Sequence, residues 1–160
     1  MPEKNADLPL NCNLIKYSVL HLHTEVKTDK NFSLPLSVTP DIRFDVGKKE
    51  YRAFVKCVYG IDGFAFSCAI EGAFEYSEPI DGKNFVNAWW NACTMIYGIM
   101  RGIFTTTSSQ AINVVRFLPA VMMINEIKRR VAELAKQAPV EKPDQPKRIE
   151  PSAPENQEQK

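Results

Sequence analysis

The residues best equipped for chemistry in this 160-residue chain are two histidines and four cysteines. His21 and His23 stand two apart in "VLHLHTE", a spacing that sets both on one face of a strand, where they could share a metal ion. No third ligand is evident in the sequence, so no metal site is expected. Cys12, Cys57, Cys68 and Cys93 form no CxxC pair, which argues against structural zinc. Spacing alone leaves Ser-His-Asp and Cys-His catalysis open, but there is no nucleophile elbow and no glycine-rich phosphate loop. Arg101, flanked by apolar residues, is expected to pair with a carboxylate or cap a helix end. The reading is therefore a protein without catalytic residues, metal or cofactor, whose function lies in what its surfaces bind.

The composition agrees with that reading. Net charge is +1, with 44% hydrophobic and 24% charged residues, an ordinary globular balance. With no basic run, nothing calls for a nucleic-acid or anionic-membrane partner. The N-terminal "MPEKNADLPLNCNL" lacks the apolar run of about 7–15 residues that an export signal needs. A cytoplasmic protein with reduced thiols is expected. Residues 1–12 are expected to be a flexible N-terminus and 13–138 a single α+β domain. Residues 139–160, "PVEKPDQPKRIEPSAPENQEQK", hold five of the eleven prolines and no aromatic, leucine or methionine. Such a segment cannot offset its ordering entropy by burial and is expected to be a disordered tail.

The first half of the domain reads as strands. "LIKYSVLHLHT" puts Ile15, Tyr17 and Val19 on one face, and "IRFDV" turns Ile42, Phe44 and Val46 inward. In "YRAFVKCVYGIDGFAFSCAIEGAFEYS" the Asp62-Gly63 pair predicts a two-residue type I′ hairpin turn. That turn places Tyr59 opposite Phe66, Cys57 opposite Cys68 and Val55 opposite Ile70, all on one face that must be covered. Cys57 and Cys68 are expected to be buried thiols rather than a disulfide. Glu71-Gly72 is expected to mark a bulge.

The second half reads as two helices. In "NFVNAWWNACTMIYGIMRGIF", with Asp81 as expected N-cap, one stripe is Phe85, Trp89, Ala92, Ile96, Ile99 and Ile103. A second is Val86, Trp90, Cys93, Tyr97, Met100 and Phe104. Asn84, Asn87, Asn91, Thr94 and Arg101 interrupt the run too often for a membrane span. One apolar stripe suffices for a helix lying on its own sheet, so the second predicts a subunit contact, the alternative being that the last helix covers both. "TTTSSQA" is expected to be a polar loop and "INVVRF" extended or irregular. "LPAVMMINEIKRRVAELAKQ" is then a helix with Pro119 in its first turn, its stripe running through Val121, Ile124, Ile127 or Lys128, Val131 and Leu134.

Four runs in order, "PDIRFDV", "YRAFVKCVYGIDGFAFSCAIEGAFEY", "RGIF" and "LPAV", resemble the SecB family of export chaperones over about residues 13–134. The resemblance implies a four-stranded antiparallel sheet with two C-terminal helices packed on one face. It also implies a homotetrameric, dimer-of-dimers holdase that binds unfolded precursors without ATP and serves protein export. The first helix would be sandwiched between subunits. Val86, Trp90, Cys93, Tyr97 and Met100 on that helix, with Phe66, Cys68 and Ile70 on the strand, are the expected interface. The crossover "TDKNFSLPLSVTP" and the last helix would line the client groove, through Phe32, Leu34, Leu36, Phe104, Val121, Met122 and Met123. The translocase motor ATPase is a further partner that the family implies, docked through acidic charge. Here residues 1–138 carry 16 basic and 14 acidic groups, and the loop Thr105–Phe117 looks longer than the family's. These departures fit comparably well a SecB-like chaperone dedicated to one partner, such as the antitoxin of a toxin–antitoxin system.

Overall fold

The computed structural model describes residues 12–137; the expectations for the N-terminal residues before Cys12 and for the tail lie outside them. Asp62 and Gly63 both take positive φ, 49° and 78°, the backbone that a type I′ turn requires. They join β3 (Glu50–Ile61) to β4 (Phe64–Tyr76) in the expected register, with Tyr59 opposite Phe66, Cys57 opposite Cys68 and Val55 opposite Ile70. Outside this hairpin, β1 (Cys12–Val26) pairs with β4 and β2 (Leu34–Phe44) with β3, giving the antiparallel order β1-β4-β3-β2. The fold is thus α+β, with two helices after the sheet: α1 (Phe85–Ile112) and α2 (Met123–Gln137).

The link from β1 to β2 crosses the end of the sheet and is tied to the hairpin turn. The Lys27 N–H donates to the Gly63 carbonyl at 2.7 Å, and the Gly63 N–H donates to the Phe32 carbonyl at 3.1 Å. A Cβ on Gly63 would stand 3.1 Å from the Asp29 carbonyl oxygen, so this turn needs glycine for space as well as for φ. The crossover is shorter than expected, because Leu34 and Leu36 already belong to β2. Cys12, expected in a flexible arm, is the buried first residue of β1, its Sγ 2.8 Å from Tyr51 Oη.

Three helical boundaries also differ. The stretch Thr105–Ser108 continues α1 instead of looping, because its hydroxyls return to the helix. Thr105 donates to the Arg101 carbonyl at 2.9 Å, Thr106 to Gly102 at 3.1 Å and Thr107 to Ile103 at 2.9 Å. A hydroxyl that finds an acceptor on the preceding turn removes the usual reason for Thr and Ser to leave a helix. The helix ends at Asn113, which adopts the left-handed cap conformation with φ 54°. At the other end, the Asp81 carboxylate accepts the N–H groups of Lys83 (2.7 Å) and Asn84 (3.0 Å). Asp81 therefore caps the turn before α1, and Asn84 holds the N-cap position. Pro119 precedes α2, which starts at Met123.

The core lies between α1 and the even-numbered face of β4. Phe64, Phe66, Cys68, Ile70 and Phe74 meet Trp89, Ala92, Ile96, Met100 and Phe104 there. Phe104 sits among three rings, with Tyr59, Phe64 and Phe66 at 5.7, 5.7 and 5.1 Å between centroids. Tyr51 Oη donates to the Ala88 carbonyl (2.9 Å) and Tyr97 Oη to the Pro119 carbonyl (2.8 Å). These bonds fix α1 to the sheet on one side and to the 113–122 connection on the other.

Candidate polypeptide-binding surface

Strand β1 departs most from a self-sufficient fold. Its register against β4 shifts twice, between Leu14 and Lys16 and between Val19 and His21. Each shift sets one residue out of step and exchanges the faces of everything after it. Tyr17, Val19, Leu22 and Val26 consequently all pair with core-side residues of β4: Gly72, Ile70, Cys68 and Phe64. Lys16, Ser18, His21, His23 and Glu25 take the far face. Tyr17, Val19, Leu22 and Val26 stay exposed although they share the helix side with the core. The bulges stand at the apolar doublets Leu14-Ile15 and Val19-Leu20, not at Glu71-Gly72, where the pairing is regular. Such a doublet in an alternating strand is the signal that would have located them.

A second apolar area surrounds the connection between the helices. Leu118 is buried and anchors the segment, while Val114, Val115, Phe117 (68% exposed) and Met122 (71% exposed) face outward. Arg116 forms an ion pair with Asp62 at the hairpin turn, and its N–H donates to Ser108 Oγ at 3.3 Å. This brings the connection beside the β1–β2 crossover. Between them lies a cavity of about 810 Å3 lined by Val26, Ile112 and Val114, by Lys27 and Lys30, and by the paired Arg116 and Asp62. Apolar walls with cationic rims suit an extended polypeptide better than a small molecule, for which a closed pocket would be needed.

The expected groove residues divide. Leu34 and Met122 are exposed, and Phe32, Leu36 and Val121 are half-buried. Phe32 and Leu34 lie over Gly60, where a Cβ would come within 2.9 Å of Phe32 Cε1 and of Leu34 N. Phe104 and Met123 are fully inside the core, so neither offers a client a surface. Val114, Val115 and Phe117 were not expected; "INVVRF" reads as irregular without saying which way its side chains turn.

The expected subunit interface divides more sharply. Cys93, Tyr97, Met100, Phe66, Cys68 and Ile70 are buried by the chain itself, which corrects their assignment to a boundary between subunits. Strands of 11 to 15 residues make a sheet broad enough to cover parts of both stripes of α1, and Leu118 and Met123 help close the core. Val86 remains half-buried and Trp90 38% exposed. Arg101, expected to pair or cap, is exposed and joins no ion pair among the described residues.

Burial sets the chemistry of the thiols. It pushes Cys57 up to about 12, with Cys68 adding repulsion, and Cys68 up to about 11, and it raises Cys12 and Cys93 as well. A thiol held protonated inside a core is a poor nucleophile and a poor metal ligand. All four are unpaired. The rings of His21 and His23 stack 6.5 Å apart on the far face. No group of three or more His, Cys, Asp or Glu poised to hold a metal occurs among the described residues, and no helix there is long and apolar enough to cross a membrane.

No family model and no curated protein matches the chain in sequence. Solved structures do match it in fold. One is the SecB-like chaperone Rv1957 of Mycobacterium tuberculosis, in complex with a ChAD peptide from the Rv1956 HigA1 antitoxin. It has TM-score 0.53 and 10% identity, over 69% of this chain and 91% of that one. Another is a protein of unknown function from Streptococcus agalactiae, with TM-score 0.54 and 13% identity, over 68% and 97%. The fold of this protein is SecB-like.

Proposed function

We propose that the protein is an ATP-independent holdase of the cytoplasm that binds unfolded polypeptide and assembles as a homo-oligomer. The observation that carries this reading is the unpartnered apolar surface of β1 and the 113–122 connection, in a fold shared with a chaperone. Several shallow apolar sites on each of several subunits would give avidity without nucleotide, and methionine at the rim suits varied side chains. Trp90 and Val86 on α1, with the apolar side of β1, are the subunit contacts this reading requires. For the client groove it keeps Phe32, Leu34, Leu36, Val121 and Met122 and adds Val114, Val115 and Phe117.

A second reading, a chaperone dedicated to one partner, has its own support. The structural neighbour Rv1957 is seen with a peptide of an antitoxin. The net charge of +1 also offers little acidity for docking a translocase motor, which the export reading needs. Native mass spectrometry tests both. Mixed with a slowly folding export precursor and no ATP, an oligomer that retains the precursor supports the general holdase. An oligomer that ignores varied precursors but captures one disordered protein from its own genome supports the dedicated form. A monomer that binds neither overturns both.

A further inference from the structure

The far face of the sheet, turned away from α1, carries a feature that apolar client binding does not use. Arg43 on β2 and Arg52 on β3 are directly opposed neighbours, an arrangement of like charges that costs stability unless something offsets it. Arg52 Nη1 lies 3.5 Å from Glu71 Oε2. Arg43 joins no ion pair among the described residues, and Asp41 beside it is engaged by Arg130 (3.8 Å) and by the Ile42 N–H (2.9 Å). Both arginines line a cavity of about 220 Å3 together with Leu20, Asp41, Phe54 and Glu71. Leu20 is the residue that the second bulge of β1 sets out of register, and bulges commonly re-aim a side chain in this way. With Glu71 beside Arg52 and Asp41 beside Arg130, Arg43 is the cation of this cavity in no ion pair among the described residues, and next to an aliphatic and an aromatic side chain it is complementary to a carboxylate carried beside a bulky apolar group.

We propose that this cavity is a selective subsite for an acidic residue adjacent to a bulky apolar residue in a bound polypeptide. The carboxylate pairs with Arg43, beside Arg52, and the apolar side chain lies on Leu20 and Phe54. Guanidinium groups hold carboxylates in paired, directional hydrogen bonds, so the subsite selects sequence where the apolar surfaces select only hydrophobicity. The inference rests on the polypeptide-binding reading in one respect, that the ligand is a peptide.

The test is fluorescence anisotropy of two dye-labelled Gly/Ser peptides, one with a central Leu-Glu pair and one with Leu-Gln, titrated with the full chain. We expect the Leu-Glu peptide to bind about tenfold more tightly, the scale of a charge-assisted contact. Arg43→Gln/Arg52→Gln should erase that preference. Should this double variant fail to fold, Leu20→Ser at its exposed bulge should weaken both peptides while keeping the preference for Glu. Equal affinity for the two peptides overturns the proposal. So does a preference that emerges only in Ile149→Ser/Glu150→Gln, which assigns the cavity to the chain's own Ile-Glu pair. Suppression of aggregation of an unfolded protein, measured on the same sample, reports the holdase reading separately. Its loss with peptide preference intact refutes that reading alone.

Discussion

At one edge of the sheet, β2 contains Pro35 and Pro40 and is crossed by α2, whose Arg129 donates to the Val38 carbonyl at 3.0 Å. Glu126 and Glu133 hold that guanidinium in place, each at 2.8 Å. At the other edge, β1 runs 15 residues without a proline, and among the described residues no strand or helix pairs along its outer side. Its helix side presents Tyr17, Val19, Leu22 and Val26 to solvent. An exposed backbone edge invites another strand, and folded proteins usually protect theirs with proline, charge or a covering helix. The β2 edge has all three. The same short chain protects one edge with proline, charge and a helix and leaves one side of the longer edge strand apolar and exposed, which is what the proposed association through β1 needs.

The most damaging change for this contrast is Val19→Lys/Leu22→Lys on the apolar side of β1. Burying two such side chains contributes roughly 1.5–3 kcal/mol each, so the assembly should dissociate at concentrations at least about a hundredfold higher. Analytical ultracentrifugation reads this, and unfolding of the subunit should change little; an unaltered assembly refutes the role of β1. Next is Trp90→Asp on α1, expected to weaken the assembly by about tenfold or more and to leave a compact species. An unchanged native mass would show that α1 takes no part.

Arg129→Ala tests the sealed edge. It removes a charge-assisted bond to a strand carbonyl at a half-exposed site, so about 1 kcal/mol of subunit stability should be lost in urea unfolding. The affinity between subunits should stay the same, because the proposed assembly does not use β2. The last effect is absent near neutrality and blind to the two edges. Cys57 and Cys68, beneath the middle of the sheet, are pushed up to about 12 and about 11 by burial. A thiol of raised pKa keeps its proton in the folded state while the unfolded chain ionises from about 9. Stability is therefore full below pH 9 and falls as pH rises through 9 to 11–12. Urea unfolding at pH 8 and pH 10.5 should show the fall, and Cys57→Ala should make it shallower.

Much of this fold was legible in the sequence because local rules governed it. Asp62-Gly63 could form one kind of turn, and that turn determined the pairing of β3 with β4 down to Cys57 and Cys68. The apolar run from Phe85 to Phe104 could form one kind of helix. Less legible was everything that depended on a partner distant in the chain. Thr105–Ser108 look like loop residues until their hydroxyls find carbonyls one turn back. Phe104 and Phe117 are equally apolar as letters, yet one sits among three rings and the other is 68% exposed. The two stripes of α1 are plain in the sequence, but the spacing does not say what covers the second, and here the chain's own core takes in Cys93, Tyr97, Met100 and Phe104.

The sequence by itself determined the α+β class, the central hairpin with its register, the helical nature of α1 and the absence of a recognisable catalytic motif. Each of these follows from spacing and backbone preference within a few residues. Only the tertiary structure decided which apolar residues remain outside. It turned four residues of β1 onto one exposed apolar face through two bulges, opposed Arg43 to Arg52, and laid α2 along one edge but not the other. Those outcomes depend on which strand lies beside which, and exposure is a property of the neighbours a residue meets.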